Sequence, residues 1–346
     1  MSDEDTASIL IIGGGGVGTI VALNLECGRR AKVTLVLRSN FDRVSQDGFS
    51  IRSVDHGNLT GWQPHKVVKK VPAIVNGTSA FDFVVCCTKN IPDFGPSIGD
   101  IVQPAVTLGQ TTIVLIQNGL NIELPLVEQF PQNTILSGVS FMGSHEPEAG
   151  VIEHDFEDKL VVGAFQNVSV DAELSNAQAR DFVARYSAGG KTVCEYAVDA
   201  NRSRWEKLVY NATMNPICAV LRTDTATLRL SNSIENLVRP AMEEIRAAAS
   251  ANGYNLDASI AQRMIDMDPM EIFFKPSMCM DALKGNLIEF ENLVGEPLRA
   301  GKKHGVAMPV LTVIYDMCKM LQWQLKATRE GRSQEDMLKV YHSSKP

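Results

Sequence analysis

Short apolar runs alternate with segments of helical spacing through the first two hundred residues of the chain. Residues 8–12 form a brief apolar run, residues 19–26 set Ile20, Val21, Leu23 and Leu25 at helical intervals, and residues 32–37 return to an apolar run. Strand, helix and strand in that order predict a βαβ unit. Further strands are expected at 49–52, 66–71, 81–87, 112–116, 134–141, 151–153, 160–163 and 192–196, with helices at 41–47 and 171–186. Residues 143–150, with His145, Glu146 and Glu148, read as a loop. The run at 81–87, Phe-Asp-Phe-Val-Val-Cys-Cys, suits a strand buried on both faces of a parallel sheet.

Beyond residue 200 the strand pattern stops, and helices are expected at 204–221, 234–252, 260–265, 277–305 and 310–326. This change divides the chain into an α/β domain at 1–199, a helical domain at 200–328 and a charged tail at 329–346. The tail has too little apolar content to force an ordered structure. Pro216 falls inside the first long helical segment and should kink it near Ala212, whose carbonyl loses its partner.

The link between the first strand and helix is Gly13-Gly14-Gly15-Gly16-Val17-Gly18. Gly13, Gly15 and Gly18 satisfy the dinucleotide fingerprint, in which the glycines allow a tight turn, close pyrophosphate approach and close helix packing. A helix N-terminus there favours an anion, with Gly16 and Val17 opening it. Where an NAD site usually carries Asp or Glu at the end of the second strand, this chain has Arg38-Ser39-Asn40. The Arg38 fork matches a 2'-phosphate, Ser39 and Asn40 add donors, and NADP(H) is preferred. Lys89 and Asn118, each just past a predicted strand end, lie where an open α/β sheet gathers its ligands.

Lys207, Asn211 and Asn215 recur every four residues among Leu208, Val209, Ala212 and Ile217. On one helix they form a polar row on a largely apolar surface, and a buried polar row needs partners or a ligand. An ammonium followed by two carboxamides suits a small substrate bearing carbonyl and hydroxyl oxygens. Ser277 could cap the helix it begins or bind a ligand, and Glu289 sits among apolar neighbours.

With Lys+Arg 33 against Asp+Glu 40, the net charge of -7 argues against nucleic acid as the main partner. No apolar run approaches the roughly 18 residues that span a bilayer. The acidic start, Met-Ser-Asp-Glu-Asp, lacks the features of a signal peptide, and seven irregularly spaced cysteines fit reduced thiols. A cytoplasmic protein is expected. No His/Cys set has metal-ligand spacing, so no metal is expected, and His145 is a weak catalytic candidate.

Together these residues resemble the ketopantoate reductase (2-dehydropantoate 2-reductase) family. The resemblance is carried by Gly13, Gly15, Gly18 and Arg38, by Lys89 and Asn118-Gly119, by Lys207, Asn211 and Asn215 at four-residue steps, and by Ser277-Met278 with Glu289 twelve residues on. It implies a Rossmann-like domain followed by an all-helical domain of the 6-phosphogluconate dehydrogenase C-terminal type. It also implies NADPH-dependent reduction of a 2-oxo acid in pantothenate biosynthesis. By the same resemblance Lys207 is the general acid, Glu289 binds the substrate hydroxyl, and Asn211, Asn215 and Ser277 hold substrate. Asn118 and Lys89 bridge cofactor and substrate, and a homodimer is compatible with it. The chain departs at Pro276, where the family often has a second Ser, and at Ile288-Glu289-Phe290-Glu291, where Thr-Glu-Ile-Asp is common. These departures leave open a paralogue acting on another branched or aromatic oxo acid. Two readings of other kinds stand beside it, a 2-hydroxyacid dehydrogenase and a non-catalytic NADPH sensor.

Overall fold

A computed structural model of the chain describes residues 5–75 and 79–333, with residues 335, 336, 338 and 339 of the tail. Two compact units are formed, one from residues 1–90 and 95–203, the other from residues 91–94 and 204–346. The remainder of the expected tail lies outside the described residues.

In chain order the first unit comprises β1 Ala7–Ile12, α1 Gly16–Cys27, β2 Ala31–Val36, α2 Phe41–Asp47, β3 Phe49–Ser53, β4 Gly57–Trp62, β5 Lys66–Val68 and β6 Phe83–Cys86. It continues with α3 Ile98–Val102, β7 Thr112–Ile116, α4 Leu124–Gln129, β8 Ile135–Ser140, β9 Gly143–Glu148, β10 Val151–Phe156, β11 Lys159–Ala164, α5 Ala172–Ser187 and β12 Val193–Tyr196. Among the described residues, eight strands form the main sheet in the order β12-β11-β8-β7-β6-β1-β2-β5. Pairing from β5 across to β8 is parallel. The chain runs outward from β1 through β2, then returns to add β6 on the other side of β1. That reversal opens the crevice in which such sheets bind ligands.

Both faces of the sheet are apolar for the reason visible in β1. Ile9 and Ile11 enter one buried cluster with residues of α1 and α5, while Leu10 and Ile12 enter another with Ile98, Val102 and Leu126. Alternating side chains thus serve opposite faces, and each fully buried Ile or Leu contributes about 1.5–3 kcal/mol. Burial pushes the Cys86 thiol up to about 12, so this core cysteine is inert. The seven cysteines are free thiols.

A second sheet, β4-β3-β10-β9, corrects one sequence expectation and adds a strand that none covered. Residues 143–148 are a strand, antiparallel to β10 across the turn at Gly150 (φ 76°), not a loop. Its polar and Pro content hid it. Strand β4, glycine-rich and largely exposed on the edge, carries only Leu59 and Trp62 as apolar positions, both packed against the core, too sparse a pattern to mark a strand.

Buried Asp158, just before β11, accepts from Asn24 Nδ2 at 2.7 Å, Tyr186 Oη at 2.6 Å and Thr192 Oγ1 at 2.9 Å. His154 Nδ1 lies 2.8 Å from Ser53 Oγ across β10 and β3, and Asp55 Oδ2 accepts from the Asp158 N–H at 2.9 Å. Burial raises the Asp158 carboxyl above its ordinary value of 3.8 despite these donors.

The helices that follow are α6 Asn201–Asn211, α7 Met214–Leu221, α8 Thr225–Leu230, α9 Arg239–Ala251, α10 Ile260–Ile265, α11 Ser277–Leu283, α12 Glu296–Lys303 and α13 Pro309–Arg329. π-Helical turns at Ile234–Val238 and Glu291–Gly295 lead into α9 and α12. Two expected continuous helices are divided. Pro216 removes the bond to Ala212, and the expected kink becomes a break at Thr213, whose Oγ1 donates to the Val209 carbonyl at 2.6 Å. The segment 277–305 breaks at Gly285 (φ 73°), where Gly285 N–H reaches Ala282 O at 3.2 Å and Asn286 N–H reaches Asp281 O at 2.8 Å. This pair of bonds is a Schellman termination, which glycine favours.

The inserted residues 91–94 belong with these helices. Lys326 Nζ donates to the carbonyl and to Oδ2 of Asp93, both at 2.7 Å, and the Phe94 ring lies under Lys326 and Arg329. No helix among the described residues is long and apolar enough to cross a membrane.

Because the folded state holds the Asp158 proton more tightly than the unfolded chain, this group's contribution to stability falls as pH rises from 3.8 through the raised value. Urea unfolding of the unmodified chain and Asp158→Asn across that range should show their stability difference moving in favour of the variant as pH rises. A difference independent of pH would mean that the carboxyl is not raised.

Candidate functional site

In the first unit the glycine turn is fixed by contacts that exclude side chains. A β-carbon at Gly18 would lie 1.7 Å from the Gly13 carbonyl oxygen, and one at Gly13, whose φ is 103°, would lie 2.8 Å from Thr88 Cγ2 and 2.9 Å from its nitrogen. At Gly16 it would meet the backbone of His145 at 2.6 Å. Gly15 differs. The nearest atom to its β-carbon position is Glu146 Oε2, at 4.0 Å. Gly15 is also the N-cap of α1, without a side-chain cap, and the first turn carries no acidic residue. A helix N-terminus with an open approach and backbone N–H groups suits a phosphate.

Arg38 and Ser39 are exposed just past β2. Asn40 is not available in the way its sequence position suggested. It is 5% exposed, and its Nδ2 donates to Gly14 O at 2.9 Å and Glu146 Oε1 at 2.8 Å. Instead of facing a 2'-phosphate, this amide holds the glycine turn. Past β6, Gln117 Nε2 donates to the Thr88 carbonyl at 2.6 Å and to Thr88 Oγ1 at 3.2 Å, tying the end of β7 to that of β6. Lys89 is exposed and Asn118 half-buried, followed by Gly119 at φ 108°. The parallel register sets the ends of β1, β2, β6 and β7 along one edge of the sheet.

In the second unit Lys207 is half-buried and Asn211, one turn later on α6, is buried. Asn215 is on α7, beyond the break, so the three residues do not share one helix. Asn215 is 1% exposed, and α11 engages both ends of its amide: Oδ1 accepts from Met278 N–H at 2.9 Å, and Nδ2 donates to Ser277 Oγ at 3.3 Å. Ser277 is the first residue of α11; the N-cap is Pro276, which offers no side-chain donor or acceptor. Asn215 thus supplies from α7 part of the capping that α11 lacks.

Glu289 is 4% exposed, within the buried stretch Leu287, Ile288 and Phe290. The adjoining backbone is held by Gln322 of α13, whose Oε1 accepts from Ile288 N–H at 2.9 Å and whose Nε2 donates to Ile288 O at 3.3 Å and to Asp93 Oδ1 at 3.2 Å. Sequence inspection missed Gln322, although an amide between Leu321 and Leu325 on an apolar helical stripe was a visible signal. It also missed the Asn40–Glu146 contact, for which the sequence carries no signal. His145 faces Glu153 and Asp155 at 3.3 and 3.7 Å on the exposed side of β9, with Arg52 also pairing with Glu153.

Residues 9–167 match the family described as ketopantoate reductase PanE/ApbA, and residues 199–322 match its C-terminal part. An uncharacterized protein of Saccharomyces cerevisiae is 36% identical over 341 residues, covering 92% of this chain and 94% of the yeast protein. The 2-dehydropantoate 2-reductase of a Nostoc species is 27% identical over 335 residues, covering 95% and 97%. Among solved structures, 2-dehydropantoate 2-reductase from Methylococcus capsulatus has a TM-score of 0.77 at 30% identity, covering 92% of this chain and 97% of its own. The ternary structure of D-mandelate dehydrogenase with NADH and anilino(oxo)acetate shares the fold, with a TM-score of 0.76 at 19% identity and coverage of 92% and 99%.

Replacing Asn215 by Ala leaves the buried Met278 N–H without its acceptor, which should cost about 1–3 kcal/mol. The urea midpoint should fall accordingly with an unchanged slope. A loss below about 0.5 kcal/mol would show that this amide does not secure the start of α11.

Proposed function

This chain belongs to the ketopantoate reductase family, and on that premise we propose that it reduces a 2-oxo acid with NADPH, 2-dehydropantoate to pantoate being the foremost reaction. The main support within the chain is the polar set of the second unit: half-buried Lys207, buried Asn211, the Asn215–Ser277 contact and buried Glu289. A set of carboxamide, hydroxyl, ammonium and carboxylate groups among apolar neighbours suits a small polar substrate.

The first unit fits a dinucleotide. Gly13, Gly15 and Gly18 form the turn, Gly15 is open where a pyrophosphate would approach, and Gly16 and Val17 begin α1, whose first turn carries no acidic residue. Exposed Arg38, with no carboxylate at the end of β2, supports NADP(H) over NAD(H), and an NADPH donor supports the reductive direction. Lys89 and Asn118 are the proposed bridge between cofactor and substrate. The free thiols support a cytoplasmic setting.

The cofactor, when bound, supplies hydride to the ketone carbon of the substrate. The protein's task is the oxygen, on which negative charge develops. The Lys207 ammonium stabilises that charge and then transfers a proton to it, so that ketone becomes hydroxyl and the lysine becomes a neutral amine. Glu289 accepts a hydrogen bond from the substrate's own hydroxyl. Asn211 binds substrate directly, whereas Asn215 acts by holding Ser277. Since Ser277 Oγ accepts from Asn215 Nδ2, its proton is left to donate to substrate.

A second substrate assignment, another branched or aromatic 2-oxo acid, is favoured by Pro276, which places a ring where a second hydroxyl is common in the family. NADPH oxidation with 2-dehydropantoate, pyruvate, 2-oxoisovalerate and benzoylformate separates the two.

Lys207→Ala should lower kcat/KM by roughly 10² to 10⁴, the range for a positioned acid; undiminished turnover removes Lys207 from the chemistry. Arg38→Ala should weaken NADPH binding by about 1.5–3 kcal/mol and leave NADH nearly unchanged. Equal NADPH and NADH dissociation constants in the unmodified protein would overturn the cofactor assignment.

A further inference from the structure

The first unit holds a carboxylate that neither the glycine fingerprint nor the chemistry above uses. Glu146 lies half-buried on β9, and its Oε1 accepts from Asn40 Nδ2 at 2.8 Å and from Gly150 N–H at 2.9 Å. The same Asn40 nitrogen donates to Gly14 O at 2.9 Å, and Asn40 follows Arg38 by two residues. One amide therefore joins the end of β2, the glycine turn and β9. The second carboxylate oxygen, Oε2, is the closest atom to the open side of Gly15, 4.0 Å from its β-carbon position. The strand carrying Glu146 is held close as well, since the backbone of Ser144 and His145 packs against Gly16. Successive residues of a strand face opposite ways, and His145 is turned toward Glu153 and Asp155 while Glu146 is turned to the glycine turn.

In a βαβ nucleotide site the adenosine ribose lies between the glycine turn and the end of the second strand, where an NAD site carries a carboxylate that accepts from the 2'-hydroxyl. Here that strand end carries Arg38 and Ser39 instead. We propose that Glu146, delivered from β9 and held in place by Asn40, supplies a carboxylate at that position and is a cofactor-specificity residue acting against Arg38. Its charge accepts from a free ribose hydroxyl and repels a 2'-phosphate, while the Arg38 guanidinium attracts the phosphate. The balance of NADPH and NADH binding is set by the two charges together. This rests on the dinucleotide-binding assignment made above.

Glu146→Gln tests it, because the variant keeps a carbonyl oxygen for Asn40 and Gly150 and loses only the charge. Dissociation constants for NADPH and NADH are measured by fluorescence titration of the full chain, beside Glu146→Ala and Arg38→Ala. Removing the charge should raise the ratio of the NADH constant to the NADPH constant about tenfold, the scale of one charge-assisted contact. Glu146→Ala should move the ratio the same way, and Arg38→Ala the opposite way. A purely structural brace would weaken both cofactors by the same factor, and a ratio unchanged within about twofold in both Glu146 variants overturns the proposal. If Arg38→Ala shifts the ratio and neither Glu146 variant does, the dinucleotide assignment stands and the role of Glu146 falls. Binding of neither cofactor to the unmodified chain would overturn both.

Discussion

The α/β unit depends on a contact that no side chain could occupy. With a β-carbon position at Gly18 only 1.7 Å from the Gly13 carbonyl oxygen, α1 can follow β1 only because both places are bare backbone. The close approach of that helix orients its first N–H groups and leaves Gly15 open. Gly13 is also confined by Thr88 at the end of β6, and Thr88 is in turn held by Gln117 at the end of β7. The edge of the sheet is therefore coupled by steric exclusion and hydrogen bonds. Residues far apart in sequence thereby reach one rim.

The helical unit reaches a comparable result by interruption. A continuous helix keeps its backbone polar groups to itself; a terminated one leaves them for other partners. Pro216 ends α6 and starts α7, which turns Asn215 onto the unpaired start of α11, and the Schellman turn at Gly285 ends α11 before the buried stretch containing Glu289. Gln322 then takes up both backbone groups of Ile288, which leaves the neighbouring carboxylate on a fixed segment rather than a loose one. Fixed supports of this kind are what a site needs if its polar groups are to hold one geometry.

Much of this was legible in the sequence, for physical reasons that differ from place to place. Strands β1, β6 and β7 announce themselves because burial on both faces demands unbroken apolar runs, and the glycine turn because its spacing has a steric cause. The proline effect was visible in kind and underestimated in degree. Strand β9 was not legible, since pairing through backbone groups puts no demand on side chains that face solvent. The end of α11 at Gly285 was readable from Lys284-Gly285-Asn286 yet was overridden by apolar spacing on either side. Asn40 shows the limit of reading a motif by position: its place after Arg38 suggested a ligand, whereas burial commits its amide to Gly14 and Glu146. Such long-range pairings lie 26 and 106 residues apart, and nothing local encodes them.

The four residues 91–94 meet their partners only much later in the chain. They are made early, yet their anchor, Lys326, emerges 233 residues later. While the chain is being synthesised, the first unit can close its sheet around β6 and β7 with this short segment left waiting, since α3 and the strands on either side make their own contacts. The helical unit has no such freedom: Gln322 and Lys326, which clasp Asp93, arrive only with its last long helix. The chain thus crosses from one unit to the other and back before it crosses for good. A single cut at residue 203 would strand Asp93 and Phe94 on the wrong fragment, so two domains that look separable in sequence are, as covalent objects, threaded together.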